Sequence, residues 1–120
     1  MDDLTGQIIG AAIEVHRELG VGLLECVYEA ALCHELDLRG IAYQRQVAVD
    51  ISYKGVVIQG QRLDLLVHGE VIVELKAQLK LPEFAQAQLI SYLKSTGLKR
   101  GLLINFAEPK LVNGVKRFSL

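Results

Sequence analysis

The sequence predicts an α/β sandwich of three layers, with helices on both faces of a central mixed sheet. Three observations predict it. Residues 5–38 carry helical periodicity interrupted by glycine; residues 44–76 alternate like strands between turn residues; and a helical stretch at 82–95 separates that meander from a buried strand at 101–105. A helix between a strand meander and a further strand implies a crossover, and hence a mixed sheet with covered faces.

The elements follow in order. Ile8, Ile9, Ala12, Ile13, Val15 and His16 recur at helical spacing from Thr5 to Leu19, with Thr5 placed to cap, and Gly20-Val21-Gly22 ends the helix. A second helix runs from about Leu24 to Leu38 and stops at Gly40. Gln44 to Ile51 and Val56 to Gln59 read as strands about a Tyr53-Lys54-Gly55 turn. Two more, Arg62 to Val67 and Val71 to Lys76, flank His68-Gly69-Glu70. Pro82 starts a third helix that reaches about Ser95 and ends at Gly97. Gly101 to Asn105 is apolar enough for a buried strand, and Val115 to Phe118 forms a short final one. The order is α-α-β-β-β-β-α-β-β, without repeats, over a single domain spanning residues 1–120.

Composition narrows the function classes. Hydrophobic residues make up 51% and charged residues 22%, which places the chain among globular proteins and excludes a disordered one. The N-terminus carries Asp2, Asp3 and Glu14 and has no basic start before an apolar run, so no signal peptide is expected. No apolar stretch has membrane-spanning length, and the cytoplasm is the expected compartment. Cys26 and Cys33 lie seven residues apart on a helix, about 10 Å along its axis, too far for a disulfide. They are expected as reduced packing residues, and His16, His34 and His68 do not complete a zinc set with them. The net charge of −1 argues against a nucleic-acid coat, yet it is unevenly spread. Residues 1–61 hold four Lys/Arg against nine Asp/Glu, while residues 62–120 hold nine against five, a basic half able to meet phosphates.

The chemistry concentrates in the 62–76 hairpin. Alternation places Leu63, Leu65 and Val67 on one face with Val71, Val73 and Leu75. A three-residue loop then sets Asp64 directly opposite Glu74, with Lys76 projecting from the same face. Like charges opposed across a strand pair destabilise it unless something offsets them. A divalent cation would do so, which makes this the core of a metal-dependent phosphodiester-cleaving site. The blander alternative is an exposed hairpin with an ordinary surface ion pair, worth little.

Two further sets stand beside it. Glu25 lies in the first turn of the second helix and Tyr28 three residues on, on the same face. Glu25 is either a third acidic group for the metal or a carboxylate favoured by the helix dipole. Gln88 and Tyr92 share a face of the third helix one turn apart. They are either surface residues or hydrogen-bonding partners for the lysine or a substrate phosphate.

These residues coincide with a known pattern. Gly22, Glu25 and Tyr28, the runs Arg62–Val67 and Val73–Ala77, Gln88–Leu93 and Gly101–Phe106 together resemble the GxxExxY family of the PD-(D/E)XK nuclease superfamily, including its RecB-like QxxxY element, over nearly the whole chain. One position departs from the pattern: where a histidine is common three residues before the helix glutamine, this chain has Ala85. The resemblance implies a restriction-endonuclease-like core. It also implies that Asp64, Glu74 and the Leu75 backbone carbonyl bind Mg²⁺ or Mn²⁺, with Glu25 as the acid of the first core helix. Lys76 would orient and help deprotonate the attacking water, and Gln88, Tyr92 and Tyr28 would support it or the substrate. The implied activity is metal-dependent hydrolysis of phosphodiester bonds, in DNA rather than RNA, in repair or defence. The alternative is a catalytically silent or partner-dependent binding module on the same fold, and a homodimer or an accessory protein is compatible with either.

Overall fold

Glycine and proline punctuate this chain into nine elements, and the computed structural model describes residues 3–120 of it. Met1 and Asp2, part of the acidic N-terminus, lie outside the described residues. Helices α1 (Asp3–Leu19) and α2 (Glu25–Leu38) come first, then strands β1 (Tyr43–Tyr53), β2 (Val56–Val67) and β3 (Val71–Lys76). Helix α3 (Glu83–Thr96) leads to β4 (Arg100–Asn105), a 3₁₀ turn at Leu111–Gly114 and β5 (Val115–Ser119). The five strands lie in the order β1-β2-β3-β4-β5. Pairing is antiparallel except for β3 and β4, which are parallel and joined through α3.

The sheet is mixed and covered on both faces. On one face, Ile8, Ala12 and Val15 of α1 and Tyr28, Leu32 and Leu36 of α2 pack with Leu65, Val67, Val73, Leu75, Leu102, Ile104 and Phe106. On the other, Ala85, Leu89, Tyr92 and Leu93 of α3 pack with Val49, Leu63, Ile72 and Leu103. The five buried positions at the start of β3 and the five at the end of β4 reflect this double cover, which parallel pairing requires.

Local detail departs from the sequence reading in several places. Thr5 is buried within α1, which begins at Asp3, so it does not cap. The strands expected at 56–59 and 62–67 are one continuous β2, because Gly60 at φ 128 passes the chain on without ending the pairing. The register shifts between Val49 and Ile51 of β1, where the extra residue of the bulge lies on β2 between Ile58 and Gln61. Pro82 caps α3 from outside, in extended conformation, and does not occupy its first turn. Of the two free cysteines, Cys33 packs in the core and burial pushes its thiol pKa up, whereas Cys26 is exposed.

The most consequential difference concerns Leu63. It belongs to the α3 layer, while Leu65 and Val67 belong to the α1/α2 layer, so the alternation of β2 breaks at Asp64. Neighbouring β1 breaks at the same level: Tyr43 packs on the α1/α2 side and Val47 on the α3 side. Between them Gln46 has φ 52, the left-handed region that costs a non-glycine residue strain. Gln46 and Asp64 face each other between the pairs Arg45–Leu65 and Val47–Leu63, so both strands change face together.

After β4 the chain turns tightly at Gly114, where a Cβ would overlap the Asn105 carbonyl oxygen and crowd the Glu108 side chain. Gly114→Ala is therefore expected to lower stability by about 1–3 kcal/mol, as overpacking against backbone does. Thermal unfolding checks this, and an unchanged midpoint would show that the turn yields freely.

Candidate active site

The 62–76 hairpin has the register its sequence calls for: Val67 pairs with Val71, Leu66 with Ile72 and Leu65 with Val73 across His68-Gly69-Glu70. His68 and Gly69, at φ 54 and 65, supply the left-handed turn. One step further the regular ladder stops and side chains replace it. The Asp64 N–H donates to Glu74 Oε2 at 2.7 Å, and the Leu75 N–H donates to Asp64 Oδ2 at 2.8 Å. Each carboxylate thus accepts a hydrogen bond from the backbone of the other's strand, a crossed clasp that satisfies two donors where the strands part.

This clasp does not solvate two charges. Glu74 is 4% exposed. Burial, with Asp64's charge second, pushes its carboxyl pKa up to about 8. Burial also raises that of Asp64, against the opposing pull of the Leu75 hydrogen bond. Lys76, half-buried at the end of β3, acts on both acids in the opposite sense. In the basic half of the chain only Lys76 and Arg100 are half-buried, the other Lys and Arg being exposed. Lys76 is thus the cation set into the acid pair, and the basic surface around it is solvated.

Tyr92 approaches from α3. It is 3% exposed, and its phenol is held above the usual range by burial, then by the charges of Glu74 and Asp64. Gln88, one turn earlier on that helix, is half-buried. Glu25, exposed in the first turn of α2, lies close enough for its charge to act on both Asp64 and Glu74. Tyr28 is placed differently. Its ring is fully buried and stacked on Phe106 at 4.5 Å. Its hydroxyl donates to the Gly20 carbonyl at 2.6 Å and accepts from the Leu23 N–H at 3.3 Å. Tyr28 thereby fixes the loop, turned at Gly22 with φ 99, that delivers Glu25. Gly22, Glu25 and Tyr28 are one device: a turn, a delivered carboxylate and the bolt that holds the turn.

Other members of the site were not singled out from sequence. Glu29, one helical turn after Glu25, accepts from Arg45 (3.1 and 2.9 Å) and from Gln46 (3.0 Å), and its charge also acts on Asp64. It thus holds the strained Gln46 that faces Asp64. The i, i+4 pair of acids Glu25 and Glu29 was the available signal. Asn105 is buried at the end of β4. Its side chain donates to the Gln78 carbonyl (2.8 Å) and accepts from the N–H groups of Gln78 (3.1 Å) and Ala107 (3.2 Å). It clamps the chain two residues beyond Lys76, and only the pairing of β3 with β4 reveals that.

The donor set suits a hard divalent cation. The Leu75 N–H points at Asp64, and in a strand a residue's C=O points to the same side, so two carboxylates and a carbonyl border the parted strands. Among the described residues no three His, Cys, Asp or Glu side chains gather closely enough to hold a metal by themselves. Water and phosphate oxygens would have to complete the shell, as is usual for Mg²⁺. Such an ion would offset the charge that burial makes costly.

The pH dependence of stability follows. Glu74's folded pKa exceeds its ordinary 4.5, so unfolding releases a proton and stability falls as pH rises between about 4.5 and about 8. Glu74→Gln keeps an acceptor for the Asp64 N–H and removes the charge. In chelator it is expected to exceed the wild type in stability by about 1–3 kcal/mol at pH 8. The gap should close below pH 5; denaturant titrations across pH would expose the error as a constant gap.

Comparison with known proteins agrees with this fold. A solved crystal structure, that of SSO0001, superposes with a TM-score of 0.56 at 19% identity, covering 78% of this chain and 48% of that one. The chain thus spans about half of that protein, and the likeness is one of fold. None of the curated proteins matches the sequence significantly. A family model described as PD-(D/E)XK nuclease superfamily matches residues 2–118. With the match running from the first helix to the last strand, through the acid pair and its lysine, the chain belongs to the PD-(D/E)XK nuclease superfamily.

Proposed function

We propose that this protein is a metal-dependent nuclease that hydrolyses phosphodiester bonds, with DNA as its substrate and repair or defence as its setting. The observation that carries the reading is the crossed clasp: Glu74, buried, and Asp64, half-buried, opposed across two strands with Lys76 acting on both. A nuclease fold supplies the context, since nuclease activity is what the superfamily generally has.

The roles follow from position. Asp64, Glu74 and the Leu75 carbonyl would hold Mg²⁺ or Mn²⁺, with Glu25 on α2 as a third acid for the ion, directly or through water. When bound, such an ion activates water and stabilises charge on the transferring phosphoryl group. Lys76 Nζ orients the attacking water and takes part in removing its proton. Water oxygen bonds to phosphorus, a P–O ester bond breaks, and the departing oxygen is protonated. Tyr92 and Gln88 present polar groups from α3 to Lys76 or to the phosphate. Tyr28 contributes by holding the loop that delivers Glu25. No described helix is long and apolar enough to cross a membrane, which is compatible with action on nucleic acid in the cytoplasm.

The test uses labelled single-stranded, duplex and branched DNA, and RNA, in Mg²⁺, Mn²⁺ or EDTA, with wild type and Lys76→Ala side by side. Cleavage is expected with metal, absent in EDTA, and reduced by about 10²-fold or more in the variant, whose circular dichroism should match wild type. Equal rates for the two would remove Lys76 from the chemistry. A folded wild type inactive on every substrate would overturn the nuclease reading.

A further inference from the structure

An apolar cavity of about 300 Å³ is lined by Val21, Gly22, Leu23, Ala77, Leu79 and Ala107. Ala77 directly follows Lys76, and Gly22 and Leu23 belong to the loop that delivers Glu25. The rim is strongly exposed for its composition: Leu79 is 97% exposed and Val21 52%. Exposed apolar side chains gathered at a concavity mark a binding surface.

This rim is held in place by its backbone. Asn105 bonds both the N–H and the C=O of Gln78, next to Leu79, and also bonds the N–H of Ala107. Tyr28 ties Gly20 and Leu23 on the opposite wall. Two buried side chains therefore fix three loops around the cavity and present Leu79 to solvent without side-chain packing of its own.

We propose that this cavity is a subsite for one unstacked nucleobase of the substrate, so that nucleic acid enters as a single strand or as a duplex opened at that nucleotide. The proposal rests on the nuclease reading, which places a phosphodiester at the neighbouring acids. A base attached to that nucleotide brings a flat apolar face beside Lys76, where the cavity offers aliphatic walls. None of the six lining residues carries a charge, so phosphate is excluded from the cavity and left to Lys76. None has a side-chain hydrogen-bonding group, so the subsite holds all four bases alike. Leu79 stands as an aliphatic wedge able to separate one base from its neighbour.

Binding tests it without turnover, using the full chain carrying Lys76→Ala in Mg²⁺ and single-stranded oligonucleotides with one 2-aminopurine. The expected result is a several-fold fluorescence change on binding, about tenfold weaker binding when that base is replaced by an abasic residue, and loss of both effects on adding Leu79→Ser. Val112→Ser, an exposed apolar position elsewhere, should leave both intact. Equal affinity for the abasic strand, or indifference to Leu79→Ser, would overturn the proposal. So would sedimentation showing that Leu79→Ser separates a dimer without altering the base signal, since the cavity would then face a second copy. Wild-type cleavage, measured separately, reads the nuclease assignment: a base signal without cleavage removes the nuclease reading, and cleavage without a base signal removes the subsite.

Discussion

Two carboxylates on adjacent strands, each hydrogen-bonded to the backbone of the other's strand, impose the constraint around which this protein is arranged. Asp64 and Glu74 are brought together by hairpin register, and the layers above and below the sheet bury Glu74 and half-bury Asp64. The strands cannot continue their ladder there, because the side chains occupy the hydrogen-bonding groups that pairing would use. The sheet opens at that point, beyond the Leu65–Val73 pair.

Much of the remaining structure supports that opening. Gln46 accepts a strained backbone opposite Asp64, and Glu29 holds it there with the help of Arg45. Strain at such a place is held by surrounding contacts and not by local preference. Tyr28 and Asn105 have parallel duties on the two flanking loops, each a buried polar side chain that satisfies loop backbone groups. Neither needs to touch a substrate to matter, since one sets where Glu25 begins its helix and the other where the chain goes after Lys76.

The features that could be read from sequence share a physical cause. The hairpin was legible because its apolar residues alternate and its loop length sets the register, so Asp64 and Glu74 had to meet. The helices were legible from periodicity and from glycine at their ends. Leu63 misled because alternation assumes an undistorted strand, and the distortion at Gln46 arises from a neighbouring strand and a helix far off in sequence. β2 was divided because Gly60 reads as a break when it is only a passage. Asn105 and Glu29 stayed hidden for a similar reason: each works across a contact between segments 16 to 27 residues apart, and the Glu25–Glu29 spacing shows a shared helix face without showing what Glu29 bonds. The site's charged chemistry was legible, whereas its scaffolding was tertiary.

The strands lie across the sheet in the order in which they are synthesised. Each strand after β1 therefore pairs with the one before it, with α3 crossing between β3 and β4 and the 3₁₀ turn lying between β4 and β5. The β1–β2–β3 meander carries both carboxylates and can associate before the rest of the sheet exists. At that stage the acids are still hydrated, and the hairpin tolerates them as a surface would. Their burial needs α3 and β4 against β3, so it is complete only with those elements in place. Tyr92, buried on α3, and Asn105, bonded to Gln78 and Ala107, are among the residues that those elements bring to the site.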